Sequence, residues 1–226
     1  EEKSKWKYIF HWLLQIPYKI RAESYRDLYG VLKSAKYIAE QQNRALNMDI
    51  LRQVLTVVLC KNRIPHFEGN GVSVVIGDGF GVLSSLLYLT TANKIIGINL
   101  TPVLLADYLY TCNIIDDQAV VLAETEAGLD EALNSSQVRL VMIRSKNQRL
   151  LRDLKIHVAF NINSMGEMNP PIIRRYFDDL RHCKSEELYF YCCNREDKTL
   201  PDGTNTKFSE YPWSDNDEII LDELCP

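Results

Sequence analysis

The sequence predicts an α/β fold, a mostly parallel sheet with helices on both faces, preceded by an N-terminal helical extension. Three observations carry that reading. Residues 72–76, VSVVI, form a nearly continuous apolar run rich in β-branched residues, the pattern of a strand buried on both faces of a parallel sheet. Gly77, Gly79 and Gly81 follow at once, and an apolar helical pattern begins directly after them. A second strand and helix come next, and two βα units in succession imply right-handed crossovers and parallel pairing.

At 226 residues and 26.1 kDa the chain suits one substantial α/β domain with an appendage, here divided into a helical extension, 1–70, and an α/β domain, 71–226. Hydrophobic residues make up 46% and charged ones 25%, the balance of an ordinary soluble globular protein. No apolar run approaches the roughly 20 residues a membrane helix needs, so no membrane span is expected. A formal charge of -4 and a pI near 5.6 argue against a nucleic-acid binder, which would show a basic face. Cys60, Cys112, Cys183, Cys192, Cys193 and Cys225 lack the paired spacing of a zinc site or a disulfide framework and read as reduced thiols of a cytoplasmic protein. His11, His66, His157 and His182 show no HxH or HxxxH spacing, so no metal site is expected. The chain opens at Glu1 with neither a methionine nor a signal-peptide pattern, and it reads as a fragment with more protein after Pro226.

Residues 1–47 place Ile9, Trp12, Leu13 and Ile16, and later Leu28, Val31, Leu32, Ala35 and Ile38, at helical spacing. Residues 48–60 continue the helical character with Asn47 as a cap, and Pro65 and Gly69 turn the chain toward the first strand. Helices so placed either form a lid or substrate-facing wall, or cover one side of the sheet. After the glycines come a helix over 82–89, a second strand over 94–99 and an amphipathic helix over 100–110, with Thr101 as N-cap and Pro102 as first helical residue. Residues 116–136 are ambiguous. Within them 119–122 reads as a short strand or part of a helix, whereas 138–143, VRLVMI, is the better third core strand. A short helix over 147–153, a fourth strand over 155–161, a helix over 172–182 opened by Pro170 and Pro171, and a fifth strand over 187–193 follow. A turn-rich loop, 198–206, and an antiparallel pair, 207–213 with 217–224, close the chain.

The glycines read GxGxG. A dinucleotide loop wants GxGxxG, and Val82 stands where its third glycine would be, so the spacing favours S-adenosyl-L-methionine over a nicotinamide cofactor. The bland alternative is a tight turn without a ligand. More specific are NINSMGEMNPPIIRRY from Asn161, YFYCCNREDKTLPDGT from Tyr189 and FSEYPW from Phe208. With the glycine loop these stretches resemble the class I S-adenosylmethionine-dependent methyltransferases, and within them the putative sugar O-methyltransferase family, over about two-thirds of the chain. The resemblance implies a Rossmann-like methyltransferase fold with a seven-stranded sheet whose last strand is antiparallel, and a cofactor lying over the carboxyl ends of the first strands. It further implies methyl transfer to a hydroxyl on a small-molecule or glycan acceptor. Gly77, Asp78, Gly79, Phe80, Gly81, Asn99 and Leu100 would then surround the cofactor.

Two positions differ from the family's pattern. Val75 stands where an acid usually precedes the glycines, and Asn99 stands where an acid usually ends the second strand and grips the ribose hydroxyls. An amide accepts one such bond and donates another, and Asp78 is the nearest acid. The alternative function is therefore a methyltransferase-fold protein that has lost its cofactor and acts as a binding module. For the enzyme, the acceptor needs alignment and a base. Glu167 follows the fourth strand and is the candidate, its plain structural role being to cap the helix at Pro170. Asn194, Arg195 and Glu196 follow the fifth strand and are candidates for acceptor binding, or else a solvated charged loop. Tyr189, Tyr191, Tyr211 and Trp213 stack on a sugar or serve the core.

Overall fold

The β-branched runs find one another as parallel neighbours. A computed structural model describes residues 5–20, 22 and 24–224, with side chains from Phe10 onward except that of His11; the Ile9 and His11 side chains and Cys225 lie outside the described residues. Three helices come first, α1 (Lys5–Ile20), α2 (Tyr25–Gln41) and α3 (Met48–Arg63). Alternation follows, through β1 (Val72–Ile76), α4 (Val82–Thr90), β2 (Lys94–Asn99), α5 (Thr101–Cys112), β3 (Val120–Ala123), α6 (Glu126–Asn134) and β4 (Leu140–Arg144). A 3₁₀ segment (Ser145–Asp153) leads to β5 (Ile156–Ile162), α7 (Pro170–Arg181) and β6 (Tyr189–Cys193), and a small hairpin, β7 (Asp197–Thr199) with β8 (Asn205–Lys207), comes last.

Strands β1 to β6 make one sheet in the order β3-β4-β2-β1-β5-β6, every pair parallel. This is a Rossmann-like plan in general. Because successive side chains of a strand face opposite ways, β1 feeds two cores. Val74 and Ile76 join α6, α7 and the 3₁₀ segment on one face, through Leu129, Leu151, Ile173 and Tyr176. Val75 joins α2, α3 and α4 on the other, through Ile38, Leu51, Val54 and Leu86. At 2% exposed, Val75 sits where a carboxylate would have no water and an apolar wall around it. Helices α2 and α3 thus cover a sheet face rather than arching over its edge. Ser24 and Asn47 cap them, accepting from the amides of Asp27 and Ile50.

Several expectations change here. Among the described residues the central sheet has six strands, all parallel, in place of seven with an antiparallel last one. The ambiguous segment does contain a strand, β3, and it takes the edge, while β4 returns inward to pair with β2. The antiparallel pair expected at 207–213 and 217–224 does not form. Pro212 has no N–H for a ladder, and Phe208, Tyr211 and Trp213 cluster instead with Phe177 of α7, ring centroids 4.9 to 6.2 Å apart. The hairpin forms earlier, from the two ends of the segment read as a loop, with Asp197 paired to Lys207 just outside it. The short helix expected over 147–153 forms as a 3₁₀ segment that starts two residues earlier, and Thr101 is the first residue of α5 rather than its cap.

Candidate functional site at the carboxyl edge

Strands β1, β2, β5 and β6 all deliver their following loops to the same edge of the sheet, as parallel pairing requires. After β1, Gly77, Gly79, Phe80 and Gly81 have φ of 73, 63, 67 and 64°, so four of five consecutive residues are left-handed. The three glycines serve different purposes. A Cβ on Gly77 would lie 2.2 Å from Ser164 Oγ, and one on Gly81 would lie 2.2 Å from Thr111 Oγ1, so both are demanded by the chain's own packing. A Cβ on Gly79 would meet nothing within 4 Å. That open face is where a ligand can approach bare backbone.

Phe80 takes a left-handed conformation that costs a non-glycine residue on the order of 1 kcal/mol or more. It is held from outside the loop. Gln42, at the end of α2, donates Nε2–H to the Phe80 carbonyl at 2.8 Å, the Arg44 guanidinium lies 4.3 Å over the Phe80 ring, and Tyr110 packs on it edge-on at 5.3 Å. The N-terminal helices therefore grip the glycine loop as well as covering the sheet.

Asp78 turns its carboxylate inward. Its oxygens accept from the amides of Leu83 at 2.8 Å and Ser84 at 2.7 Å, so it fills the exposed amide end of α4. Burial, followed by the neighbouring Asp107 carboxylate, pushes Asp78 up to about 7, against the hydrogen bonds from Leu83 and Ser84 that hold it down. At the end of β2, Asn99 donates Nδ2–H to Asp107 Oδ2 at 2.9 Å and accepts at Oδ1 from the Leu100 amide at 2.9 Å. Leu100 itself is exposed at the start of α5. Asp107 is only 3% exposed; burial raises its carboxyl, while Asn99 and the amides of Phe80 and Gly81 pull the other way.

The second half of the site is built from neutral amides. Asn161 of β5, 1% exposed, donates to the Ile76 carbonyl at 2.9 Å and to Ser164 Oγ, and its Oδ1 accepts from the Met165 amide at 3.1 Å and from Asn194 Nδ2 at 2.8 Å. Ser164 Oγ donates to the same Ile76 carbonyl at 2.9 Å, and Asn194 Oδ1 accepts from the Gly166 amide at 3.0 Å. This network ties the ends of β1, β5 and β6 together and fixes a 3₁₀ turn (Met165–Glu167). Glu167 emerges from that turn exposed and pairs with Lys198 of β7. It does not cap α7, whose N-cap is Asn169. A cavity of about 450 Å³ lined by Glu167, Lys198, Thr199, Leu200 and Pro201 opens beside the pair, and Thr206 Oγ1 donates to the Met168 carbonyl at 3.3 Å, holding the hairpin against the turn.

The structure thus brings Gly77, Asp78, Gly79, Phe80, Gly81, Asn99 and Leu100 to one stretch of the edge, and Glu167 to the next, joined where Gly77 meets Ser164. Of the acceptor candidates, Asn194 is committed to Asn161 and Gly166, and Arg195 and Glu196 are exposed and stand outside the cavity lining. Tyr211 and Trp213 belong to the aromatic cluster on α7. His157 lies near the start of β5, away from this edge, bound to the Pro65 carbonyl. Among the described residues no three His, Cys, Asp or Glu side chains gather as metal ligands, and no helix is long and apolar enough to cross a membrane.

Sequence reasoning missed Asp107, Asn161, Ser164 and Gln42. Asp107 left a trace, a lone acid three residues from Leu104 and four from Thr111 on the inward face of α5. Compared with protein-family models and with curated proteins, the chain matches none.

Proposed function

We propose that this chain is an S-adenosylmethionine-dependent O-methyltransferase acting on a sugar or glycan hydroxyl, with the cofactor over Gly79 and the acceptor in the cavity beside Glu167. One observation carries the choice of cofactor: the Asp78 carboxylate already occupies the first amides of α4. Amides of that first turn are what a dinucleotide's pyrophosphate needs, and with Leu83 and Ser84 already donating to Asp78 a second anion finds those donors taken. A cofactor without phosphate, carrying a positive sulfonium, suits a loop backed by two carboxylates, and the open face of Gly79 leaves room for it.

When bound, S-adenosylmethionine supplies an activated methyl group. The chain's own contribution is then position and proton removal. The amide network of Asn161, Ser164 and Asn194 fixes the turn that carries Glu167, and Glu167 accepts the acceptor's hydroxyl proton at its carboxylate. Lys198 keeps that carboxylate at the rim of the cavity until an acceptor enters. The test is transfer of a labelled methyl group to a panel of neutral and acidic glycans. Labelled product is expected, reduced about 100-fold or more by Glu167→Gln with S-adenosylhomocysteine affinity unchanged. Undiminished transfer by that variant would remove Glu167 as base, and transfer to no acceptor would favour the second reading.

That second reading is a non-catalytic binding module on the same fold. It draws on Asn99, whose amide is engaged with Asp107 where a ribose-gripping acid would otherwise stand. It predicts glycan binding without any methylation.

A further inference from the structure

We infer that Asp107 is a positioning residue, which orients Asn99 so that its carbonyl oxygen receives a ribose hydroxyl of the cofactor. The inference rests on the cofactor reading above. Its ground is the chemistry of two hydrogen bonds. A carboxylate accepts and a backbone amide donates, so the Asn99 side chain satisfies both Asp107 and Leu100 in one orientation alone, NH₂ toward Asp107 and oxygen toward Leu100. The flip of an exposed amide is normally free; here a carboxylate 3% exposed decides it.

The consequence is directional. Asn99 Oδ1 faces the start of α5, at the carboxyl edge, with one lone pair used by the Leu100 amide and one left. A bond from the same amide group to a carboxylate is charge-assisted and polarises the carbonyl, which strengthens it as an acceptor. The negative charge that a carboxylate would place at the strand end is thereby set on Asp107 of α5 and relayed through the amide.

The arrangement also accounts for an amide at position 99. A carboxylate there would sit against Asp107 Oδ2, now 2.9 Å from Asn99 Nδ2, with Asp78 as a third acid that already feels the Asp107 charge. Three carboxylates without an intervening hydrogen bond would repel one another and open the loop that Asp107 helps to hold. Asn99 and Asp107 act as a pair whose members exchange only together.

The experiment compares the wild-type chain with Asn99→Asp, Asp107→Asn and the double exchange Asn99→Asp with Asp107→Asn. Two readouts are taken: the thermal midpoint without ligand, and calorimetric affinity for S-adenosylhomocysteine and for its 2′,3′-dideoxy analogue. Wild type is expected to prefer the ribose form by about tenfold. Asp107→Asn should reduce that preference toward unity, Asn99→Asp should lower the midpoint and weaken binding, and the double exchange should recover both. Equal affinity for the two ligands in the wild type, or midpoint effects that simply add in the double variant, would overturn the inference. Absence of any S-adenosylhomocysteine binding would instead overturn the cofactor reading beneath it, while the ligand-free midpoints still decide whether Asn99 and Asp107 act as a pair.

Discussion

The loop after β1 and the turn after β5 leave adjacent strands and touch where Gly77 faces Ser164, yet opposite chemistry holds them. The first is ordered by carboxylates, half-buried Asp78 on the start of α4 and buried Asp107 on Asn99. The second is ordered by neutral groups, with Asn161, Ser164 and Asn194 sharing hydrogen bonds among themselves and with the backbone. Only one half can respond to its surroundings: carboxylates titrate and can be opposed by an arriving charge, whereas amides cannot, so the half that presents Glu167 stays fixed while the glycine-loop half is tuned.

The largest effect is expected at the contact between the two halves. Gly77→Ala combines a φ of 73° with a Cβ 2.4 Å from the Ser164 Cβ, and should cost about 3 kcal/mol or more in urea unfolding. Ser164→Gly is expected to relieve much of that loss, and Ser164→Ala, which keeps the Cβ, is not. Gly79→Ala, facing open space, should cost only about 1 kcal/mol, the backbone term alone.

Next in size is the neutral half. Asn161→Ala leaves the Ile76 carbonyl, the Met165 amide and Asn194 each short of a partner, and is expected to cost about 2–3 kcal/mol, equally at pH 5 and pH 8. A pH-dependent loss would show that the amide network is tied to the acids after all.

The carboxylate half should give a slope rather than a step. Burial and the neighbouring Asp107 raise the folded Asp78 carboxyl to about 7, well above the ordinary carboxylate range, so between the two the native chain holds a proton that the unfolded chain has released. Stability therefore falls as pH rises from about 4 to about 7 and levels off beyond. Asp78→Asn should flatten that profile in thermal melts. An unchanged profile would place the titration elsewhere. The smallest effect is expected from Lys198→Ala, which breaks an exposed pair with Glu167 and should change stability by no more than about 1 kcal/mol.

Much of this architecture was legible in the residues because local physics dictates it. β1, β2 and β5 are apolar runs that a buried parallel sheet accommodates, β6 is an aromatic run at its half-buried edge, and the glycines announced a left-handed turn. β3 was hidden because a four-residue edge strand, with Leu122 exposed, carries too little pattern to separate it from helix. The closing strands were misread because the aromatic residues Phe208, Tyr211 and Trp213 are strand formers by type until Phe177, some thirty residues earlier, offers a surface to cluster on. The site divides in the same way. Its backbone half, the glycine loop, was readable, whereas its side-chain half rests on pairs distant in sequence, such as Asn161 with Asn194 and Gln42 with Phe80, for which a single chain gives no signal.

On the proposed reading the carboxylate half of this edge accepts S-adenosylmethionine and refuses a phosphate-bearing dinucleotide, which calorimetric titration of the chain with S-adenosylhomocysteine and, in parallel, with NAD checks. Saturable binding of S-adenosylhomocysteine, weakened by Gly79→Val, with no heat from NAD is the expected result; binding of NAD, or no binding of S-adenosylhomocysteine at millimolar concentration, would contradict it.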